Sequence, residues 1–226
     1  MKLSNETLTI LKNFSTINSG IYFKQGNTIS TVSPQKNILA DAEIQETIPQ
    51  NFGIYDLTNF LAVISMFKDG AELEFDDKNV IIKGMGGRSK IKYRFTEPSM
   101  IVVAPDTRPK LPSVDVEFTL SKEVFDWILR SASVLNSPNI AIESDGELVN
   151  LVTFDVSDSS AHTNSVVLSD VNTEDKKYRL IFKTENIKML PGNYSVEISS
   201  KGIAKFTESE KGLVYFVTLE TSSVYQ

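Results

Sequence analysis

The 226-residue chain contains no cysteine, one histidine and one tryptophan. The lack of cysteine excludes disulfides, thiolate metal sites and a cysteine nucleophile, and is compatible with a reducing compartment. No window approaches the roughly 20 apolar residues that a membrane span needs, so we expect no membrane contact. Polar side chains between Asn5 and Asn13 interrupt any apolar signal segment. With 41% apolar and 23% charged residues, the composition is that of an ordinary globular protein.

A catalytic or metal-binding constellation is also missing. His162 lies alone in a polar stretch, whereas general-base catalysis needs a partnered and positioned imidazole. The glycine-rich residues 84–88 lack the Lys-Ser/Thr ending of a phosphate loop, and we interpret them as a turn between strands. The adjacent carboxylates at 76–77 and 174–175 lack calcium-loop spacing. We therefore predict no catalytic residues, no metal and no cofactor, and conclude that the protein is not an enzyme.

The net charge of −6 is unevenly distributed. Residues 1–110 contain 13 basic and 12 acidic side chains, whereas residues 111–226 contain 10 and 17. Bulk charge alone argues against a nucleic-acid-binding protein. That argument fails if a few basic groups gather on one surface while the rest is acidic, because electrostatic fields act locally.

A pattern that occurs four times dominates what is present. An amphipathic segment begins at Leu3, Leu57, Leu120 and Phe182, in steps of 54, 63 and 62 residues, and short strands around polar turns follow each one. Such repetition indicates the architecture. It predicts an α+β fold of two similar domains, 1–110 and 111–226, each with two helices packed on antiparallel sheets. Four of the eight prolines lie within residues 97–114, which predicts an extended linker there. We also predict that residues 20–24 and 28–32 pair as a hairpin.

The outward faces of the four predicted helices are polar and weakly basic. Their predicted N-caps are Ser4 or Asn5, Thr58 or Asn59, Ser121, and Thr184. Their cations are Lys12, Lys68, Lys122, Arg130 and Lys188. Each cation taken singly is explained as a solvated side chain. If the four faces share one surface, they form a sparse basic track that attracts phosphate without reading bases, with an affinity that falls as salt rises.

A second basic stretch contains Lys83, Arg88, Lys90, Lys92 and Arg94 and no acidic residue. Basic residues alternate with apolar ones over residues 90–95, as in a half-buried strand. Two interpretations remain open for the basic face of this strand. It is either solvent-exposed on the outer side of a sheet, or it makes an electrostatic contact with the acidic C-terminal half of a neighbouring copy. We assign Trp127 to packing.

Four motifs resemble a known family. They are ILKNFSTINSGI at residues 10–21, IYDLTNFL at 54–61, VVAP at 102–105 and KMLPGNY at 188–194. In these motifs the chain resembles the DNA sliding clamps, or polymerase processivity factors, of T-even-type bacteriophages. The resemblance implies the DNA-clamp fold, in a subunit that forms a head-to-tail homotrimeric ring with sheets outside and helices lining the hole.

The resemblance also implies a function. The ring encircles double-stranded DNA without sequence specificity and holds the replicative DNA polymerase on its template. An ATP-dependent clamp loader loads the ring, which also activates late transcription with sigma-like and co-activator proteins. The implied location is the cytoplasm of the infected bacterial host.

Site residues follow from the same resemblance. The DNA-facing positions correspond to Lys12, Lys122 and Arg130, and less closely to Lys68 and Lys188. Clamps bind partners through a short hydrophobic peptide that docks beside the interdomain linker. The candidates for that pocket are Met100, Ile101, Val102, Val103 and Pro105, with Val224 and Tyr225 as weaker ones. Ordinary linker packing explains these apolar residues equally well.

Two other functions remain open from the residues. One is a β-rich, ring-forming virion structural protein. The other is a single-stranded nucleic-acid-binding protein, which would interleave basic residues with aromatic stacking platforms. Outside residues 90–95 the basic faces lack aromatic residues.

Overall fold

The computed structural model describes residues 1–67, 70–168, 176–208 and 210–226. They form two compact units, Met1–Thr107 with Lys211–Leu213, and Arg108–Glu210 with Val214–Gln226. Each unit combines α-helix with antiparallel strands, which confirms the predicted α+β class. The domain boundary at residue 110 and the linker over 97–114 stay predictions. None of the helices in the described ranges is long and apolar enough to cross a membrane.

The first unit contains two helices and seven strands. They are α1 (Asn5–Ile17), β1 (Ile21–Phe23), β2 (Gly26–Val32), β3 (Ile38–Ile48), β4 (Phe52–Ile54), α2 (Leu57–Ser65), β5 (Glu72–Phe75), β6 (Asn79–Gly84) and β7 (Ser89–Arg94). Strands β5, β6 and β7 form a three-stranded sheet, in which β7 is the strand that the alternation over residues 90–95 indicated. The predicted pairing of β1 with β2 is wrong. Strand β1 pairs with β4, where the Phe23 and Phe52 rings stack at 4.6 Å, and β2 pairs with β3.

Helix α1 begins where the sequence indicates, with Ser4 as its N-cap. The Ser4 hydroxyl accepts a hydrogen bond from Thr7 N at 3.2 Å, and buried residues recur at helical spacing from Ile10 to Ile17. A carboxylate from β3 supports the same end, because Glu46 accepts hydrogen bonds from Ser4 N and from the Thr7 hydroxyl. Burial raises the pKa of the Glu46 carboxyl, but these hydrogen bonds outweigh it and hold the pKa below its ordinary value.

Helix α2 begins earlier than predicted. Its N-cap is Asp56, whose Oδ1 accepts from Asn59 N at 2.8 Å, so the assignment of the cap to Thr58 or Asn59 is wrong. A carboxylate in front of the first helical residue is also favoured by the helix dipole. Leu57, Phe60 and Ile64 form its buried face.

The second unit contains one α-helix and nine strands. They are β8 (Val116–Leu120), α3 (Lys122–Leu135), β9 (Asn139–Asp145), β10 (Val149–Phe154), β11 (Asn164–Leu168), β12 (Lys177–Lys183), β13 (Tyr194–Ser199), β14 (Ile203–Glu208), β15 (Leu213–Thr218) and β16 (Val224–Tyr225). One sheet has the order β11-β10-β9-β12-β16, and the other places β8, β13, β14 and β15 side by side. Strand β9 pairs with β10 and β13 with β14 as hairpins, in agreement with the predicted short strands around polar turns.

Helix α3 follows the prediction, whereas the fourth helix does not form. Ser121 caps α3 by accepting from Val124 N, and Phe125, Ile128 and Ala132 are buried. The segment after Phe182 makes only a 3-10 turn, Thr184–Asn186, and Ile187 leaves helical geometry at φ −86°, ψ 63°. The Thr184 hydroxyl does not cap it but donates to Ser137 O at 2.8 Å.

Local backbone chemistry explains the missing helix. Proline at 191 disfavours helical geometry at the preceding residue, so too few positions remain for a stable helix. The chain turns instead, and Leu190 is held from both sides: its N donates to the Tyr215 hydroxyl and its O accepts from the Tyr194 hydroxyl. Two helices per domain are therefore present in the first unit only, within the residues described.

Candidate nucleic-acid interface

The exposed face of α1 is polar and carries one cation. Asn5, Thr9, Lys12 and Thr16 are exposed, as predicted. The Thr9 and Thr16 hydroxyls donate to backbone carbonyls within the helix, at 2.8 and 2.7 Å. No carboxylate among the described residues forms an ion pair with Lys12. The face therefore presents one full positive charge amid short, internally bonded side chains.

Among the described residues, no cation lies on the exposed face of α2. Asn59, Ala62 and Ser65 are exposed, and the Ser65 hydroxyl donates to Ala62 O at 2.7 Å. Lys68, predicted to complete this face, lies outside the described residues. A groove of about 480 Å³ runs between α1 and α2. Its lining includes Leu8, Lys12, Leu61, Ser65 and Phe67.

Helix α3 presents two cations in different states. Lys122 and Arg130 are both exposed. The Lys122 ammonium lies 2.6 Å from the Asp126 carboxylate, one helical turn further along, so its charge is largely offset. Within the part of the chain that the structure describes, no carboxylate pairs with Arg130. Of the two cations, Arg130 is therefore the one whose charge no described carboxylate offsets.

Lys188 does not lie on a helix. It is exposed in the irregular segment that follows the 3-10 turn. The prediction that it belongs to a helix face is wrong, because the fourth helix is absent. The helix faces of the described residues thus offer Lys12, Lys122 and Arg130.

Trp127 is exposed, contrary to the assignment to packing. Its side chain is 53% accessible, and Val134, two turns further along the same helix, is 74% accessible. The buried positions of α3 point the opposite way, which leaves both residues in solvent. Trp127 lines a groove of about 760 Å³ with Lys122, Arg130 and Val166 of β11.

The linker candidates divide into packed and exposed residues. Ile101 fits against two glycines, since a Cβ at Gly20 would lie 2.8 Å from Ile101 Cγ2 and one at Gly53 would lie 3.3 Å from its Cδ1. Val102 O accepts from Asn18 Nδ2 at 3.0 Å. Met100, by contrast, is 64% exposed at the end of a 3-10 turn.

Comparison of the chain with known proteins identifies the family to which it is similar. Residues 4–103 match the model of the DNA polymerase processivity factor, and residues 117–221 match that of the gp45 sliding clamp, C terminal. The sliding clamp of Enterobacteria phage T4 is 35% identical over 233 residues, which cover 100% of this chain and 99% of that protein. That of Escherichia phage RB69 is 32% identical over 232 residues, with the same coverage.

The chain belongs to the DNA sliding clamp family. Solved structures agree on the fold. The chain matches A. fulgidus PCNA, solved with the C-terminal region of FEN-1 bound, at a TM-score of 0.71 and 17% identity, over 98% of each chain. It matches PCNA from Thermococcus kodakaraensis at 0.67 and 13%, over 95% of this chain and 96% of the other. The resemblance to T-even-type clamps and the DNA-clamp fold are thereby confirmed.

The remaining predicted site residues of the clamp lie in different environments. Val103 is half-buried and Pro105 is exposed. Val224 and Tyr225 form β16, which pairs with Arg179 and Tyr178 of β12. Val224 and Tyr225 themselves form an edge strand. The assignment of the linker and tail residues to a partner-peptide pocket stays a prediction.

The residues described hold no group of three or more histidine, aspartate or glutamate side chains placed to bind a metal ion. Residues 84–88 form the turn between β6 and β7 that the sequence indicated. The matched family is that of a polymerase processivity factor, which acts by binding. The virion structural protein and the single-stranded nucleic-acid-binding protein therefore give way to the clamp.

Proposed function

We propose that three copies of this clamp close head to tail around duplex DNA and tether the replicative DNA polymerase. An ATP-dependent clamp loader opens and closes the ring, and the chain itself catalyses nothing. The observation that carries the proposal is the family match in both halves of the chain, in order, over nearly its full length. The exposed helix faces supply the physical support.

A surface with few cations suits a ring that encloses DNA and has to slide along it. Each phosphate contact adds affinity and salt dependence, so a densely basic lining would hold the ring in place on DNA. Lys12 and Arg130 supply one unpaired cation each to α1 and α3, and the charge of Lys122 is offset by Asp126. Such a surface attracts the phosphates of the DNA backbone without recognising the base sequence. We propose that Lys12, Lys122 and Arg130 face DNA, together with Lys68 and Lys188.

The subunit contact is best placed at two open strand edges. In the first unit, Met1 covers the outer edge of β5, since its amino group donates to Leu73 O at 2.8 Å and Leu73 N donates to Met1 O at 2.7 Å. No described strand covers the opposite edge, β7. In the five-stranded sheet of the second unit β16 covers β12, and β11 is the edge of that sheet that no described strand covers. Open edges are templates for pairing with another chain.

The β7 edge is basic, whereas the second half of the chain is acidic in composition. On β7 the exposed face carries Lys90, Lys92 and Arg94. Residues 111–226, by contrast, hold 17 acidic and 10 basic side chains, and the exposed Trp127 lines a groove with Val166 of β11. We therefore place β7 of one subunit against β11 and Trp127 of the next. A contact between two different surfaces closes into a ring when its rotation allows.

Partner proteins dock through short hydrophobic peptides beside the linker in this proposal. Met100 is the residue that contacts the peptide, because its side chain is exposed. The two residues that follow are held in place: Ile101 packs where Gly20 and Gly53 leave space, and Val102 O accepts a hydrogen bond from Asn18. The DNA polymerase and the clamp loader use this site. Sigma-like and co-activator proteins of late transcription use the same clamp, in the cytoplasm of the infected bacterium.

Two measurements test the proposal. Light scattering after size exclusion should give a particle of three times the chain mass of 25.2 kDa. Primer extension on a long single-stranded template should give longer products when clamp, loader and ATP are all present than when any one is left out. A monomer at micromolar concentration, or product lengths that do not depend on the clamp, would contradict the proposal.

A further inference from the structure

A pocket of about 600 Å³ lies beside the glycine-rich turn between β6 and β7, and two glycines of that turn, Gly86 and Gly87, line it. Both have a positive φ, 65° and 83°, and a Cβ built on either would meet no neighbouring atom within 4 Å. Turns of this kind form concavities of backbone N–H groups in which anions bind. A ligand can therefore approach the backbone at these two positions without meeting a side chain there.

Basic side chains surround the same turn. The lining of the pocket includes Lys2, Lys83 and Arg88, and Glu72 is the one carboxylate among the described lining residues. The Lys83 ammonium lies 2.6 Å from the Glu74 carboxylate, which offsets its charge. No carboxylate of the described residues forms an ion pair with Lys2. The pocket thus combines an exposed turn backbone with an excess of positive charge, and positive charge attracts phosphate.

The pocket adjoins the surface of the first unit that carries Lys12. Gly70 lines both this pocket and the groove between α1 and α2, and Lys12 lines that groove as well. Phe67 also lines the groove, and its ring packs against Gly84 of the pocket, where it leaves no space for a side chain. One continuous surface of the first unit therefore runs from Lys12 to the glycine-rich turn.

We propose that the turn at Gly86 and Gly87, together with Lys2 and Arg88, is a phosphate-binding site, and that its ligand is a backbone phosphate of DNA. The choice of DNA as the source of the phosphate rests on the proposed function, whereas the site itself rests on the geometry of the first unit alone. The Arg88 guanidinium can donate to two phosphate oxygens at once, and Lys2 adds a second charge. The site adds one phosphate contact per subunit outside the helix faces, and it recognises no bases.

Heteronuclear NMR of selectively labelled protein tests the site. Labelling glycine nitrogens and methionine carbonyl carbons selects the amide of Gly86, because Met85–Gly86 is the only Met-Gly pair in the sequence. Labelled glutamine carbonyls select Gly26 in the same way, from the only Gln-Gly pair. Gly26 is the matched control, since it has a φ of 125°, meets no neighbouring atom and lies outside the pocket. Inorganic pyrophosphate, added at constant ionic strength, should shift the Gly86 signal to saturation and leave the Gly26 signal in place.

Two variants separate the site from general charge. Arg88→Gln should weaken pyrophosphate binding about tenfold, because it removes charge-assisted hydrogen bonds. Lys78→Gln removes an exposed cation from the turn between β5 and β6 of the same sheet and should leave the affinity unchanged. A Gly86 signal that moves no more than that of Gly26, or equal affinities of the two variants, would overturn the proposal.

A titration with a short DNA duplex identifies the source of the phosphate. The duplex should shift the Gly86 signal of the unmodified clamp, should shift it less in Arg88→Gln, and should lose this effect as salt rises. A duplex that leaves Gly86 in place while pyrophosphate moves it would overturn the assignment of the ligand to DNA. Light scattering and primer extension report on the ring independently. A clamp that forms the ring and extends primers, but shows no Gly86 shift, would therefore contradict this site alone.

Discussion

Replacing Asn18 by alanine should destabilise the first unit, because one carboxamide joins three backbone groups. Asn18 Nδ2 donates to Val32 O and to Val102 O, both at 3.0 Å, and Asn18 Oδ1 accepts from Gly20 N at 3.1 Å. The side chain is 6% exposed, so water cannot readily replace these bonds in the folded chain. The variant keeps the backbone bond from Asn18 N to Phe14 O that ends α1.

The size of the effect follows from the number of bonds. A buried hydrogen bond contributes about 1 kcal/mol net, so three bonds predict a loss of about 3 kcal/mol in the free energy of unfolding. That is a large share of the roughly 5–15 kcal/mol by which a domain is stable. For a chain of this size it corresponds to a decrease of about 6–12 °C in the melting temperature.

Circular dichroism at a fixed protein concentration measures that temperature. Asn27→Ala is the matched control, because Asn27 is an exposed asparagine of β2 in the same unit. Limited trypsin digestion gives a second readout. Cleavage at Arg108 and Lys110 should be faster in Asn18→Ala, since Val102 loses its attachment to α1. A melting temperature and a cleavage rate equal to those of Asn27→Ala would refute the reasoning.

Three further predictions concern acid stability, the lining and the subunit contact. The pKa of Glu46 is depressed, so the stabilisation that this carboxylate provides is present above the ordinary value of 4.5 and is lost as the pH falls below it. Glu46→Gln should therefore lower the melting temperature at neutral pH, and the melting temperature of the variant should decrease less on acidification. Lys12→Ala with Arg130→Ala should reduce the amount of clamp loaded onto DNA without unfolding the subunit. Lys92→Glu should shift light scattering from trimer towards monomer, because it reverses a charge at the centre of β7.

Two exposed lysines provide controls for these charge changes. Lys78 and Lys201 lie in turns between strands, one in each unit. Lys78→Ala with Lys201→Ala removes the same charge as the lining variant and should leave the amount of loaded clamp unchanged, and Lys78→Glu should leave the trimer intact. Equal effects of the lining and control pairs would contradict the DNA-facing assignment. A Lys92→Glu clamp that remains fully trimeric would contradict the contact through β7.

Local signals predicted the elements that local chemistry determines. Helix α3 was predictable because a serine cap precedes apolar residues at helical spacing, and the same holds for α1. The hairpin over residues 139–154 was predictable because its turn contains Gly146, which has the positive φ of 101° that such turns require. The polar faces of these helices followed from the same periodicity, and with them the positions of Lys12 and Arg130.

The predictions from sequence failed where contacts between residues far apart in the chain determine the structure. Strand β1 pairs with β4, about 30 residues away in sequence, through the contact between Phe23 and Phe52, which no short-range pattern reveals. The fourth helix looked periodic, yet Pro191 follows too closely for it to form. Trp127 was assigned to packing, yet its side chain is exposed. Its position one residue beyond the apolar stripe of α3 was the signal that would have predicted its exposure.

The most direct test of enclosure compares circular and linear DNA. Labelled clamp is loaded onto nicked circular DNA with loader and ATP, the loader is removed, and the retained clamp is measured before and after one restriction cut. A ring that encircles the duplex without binding it tightly should stay on the circle at raised salt and slide off the ends once the DNA is linear. Equal retention on both forms, or loss from the circle at raised salt, would contradict the account.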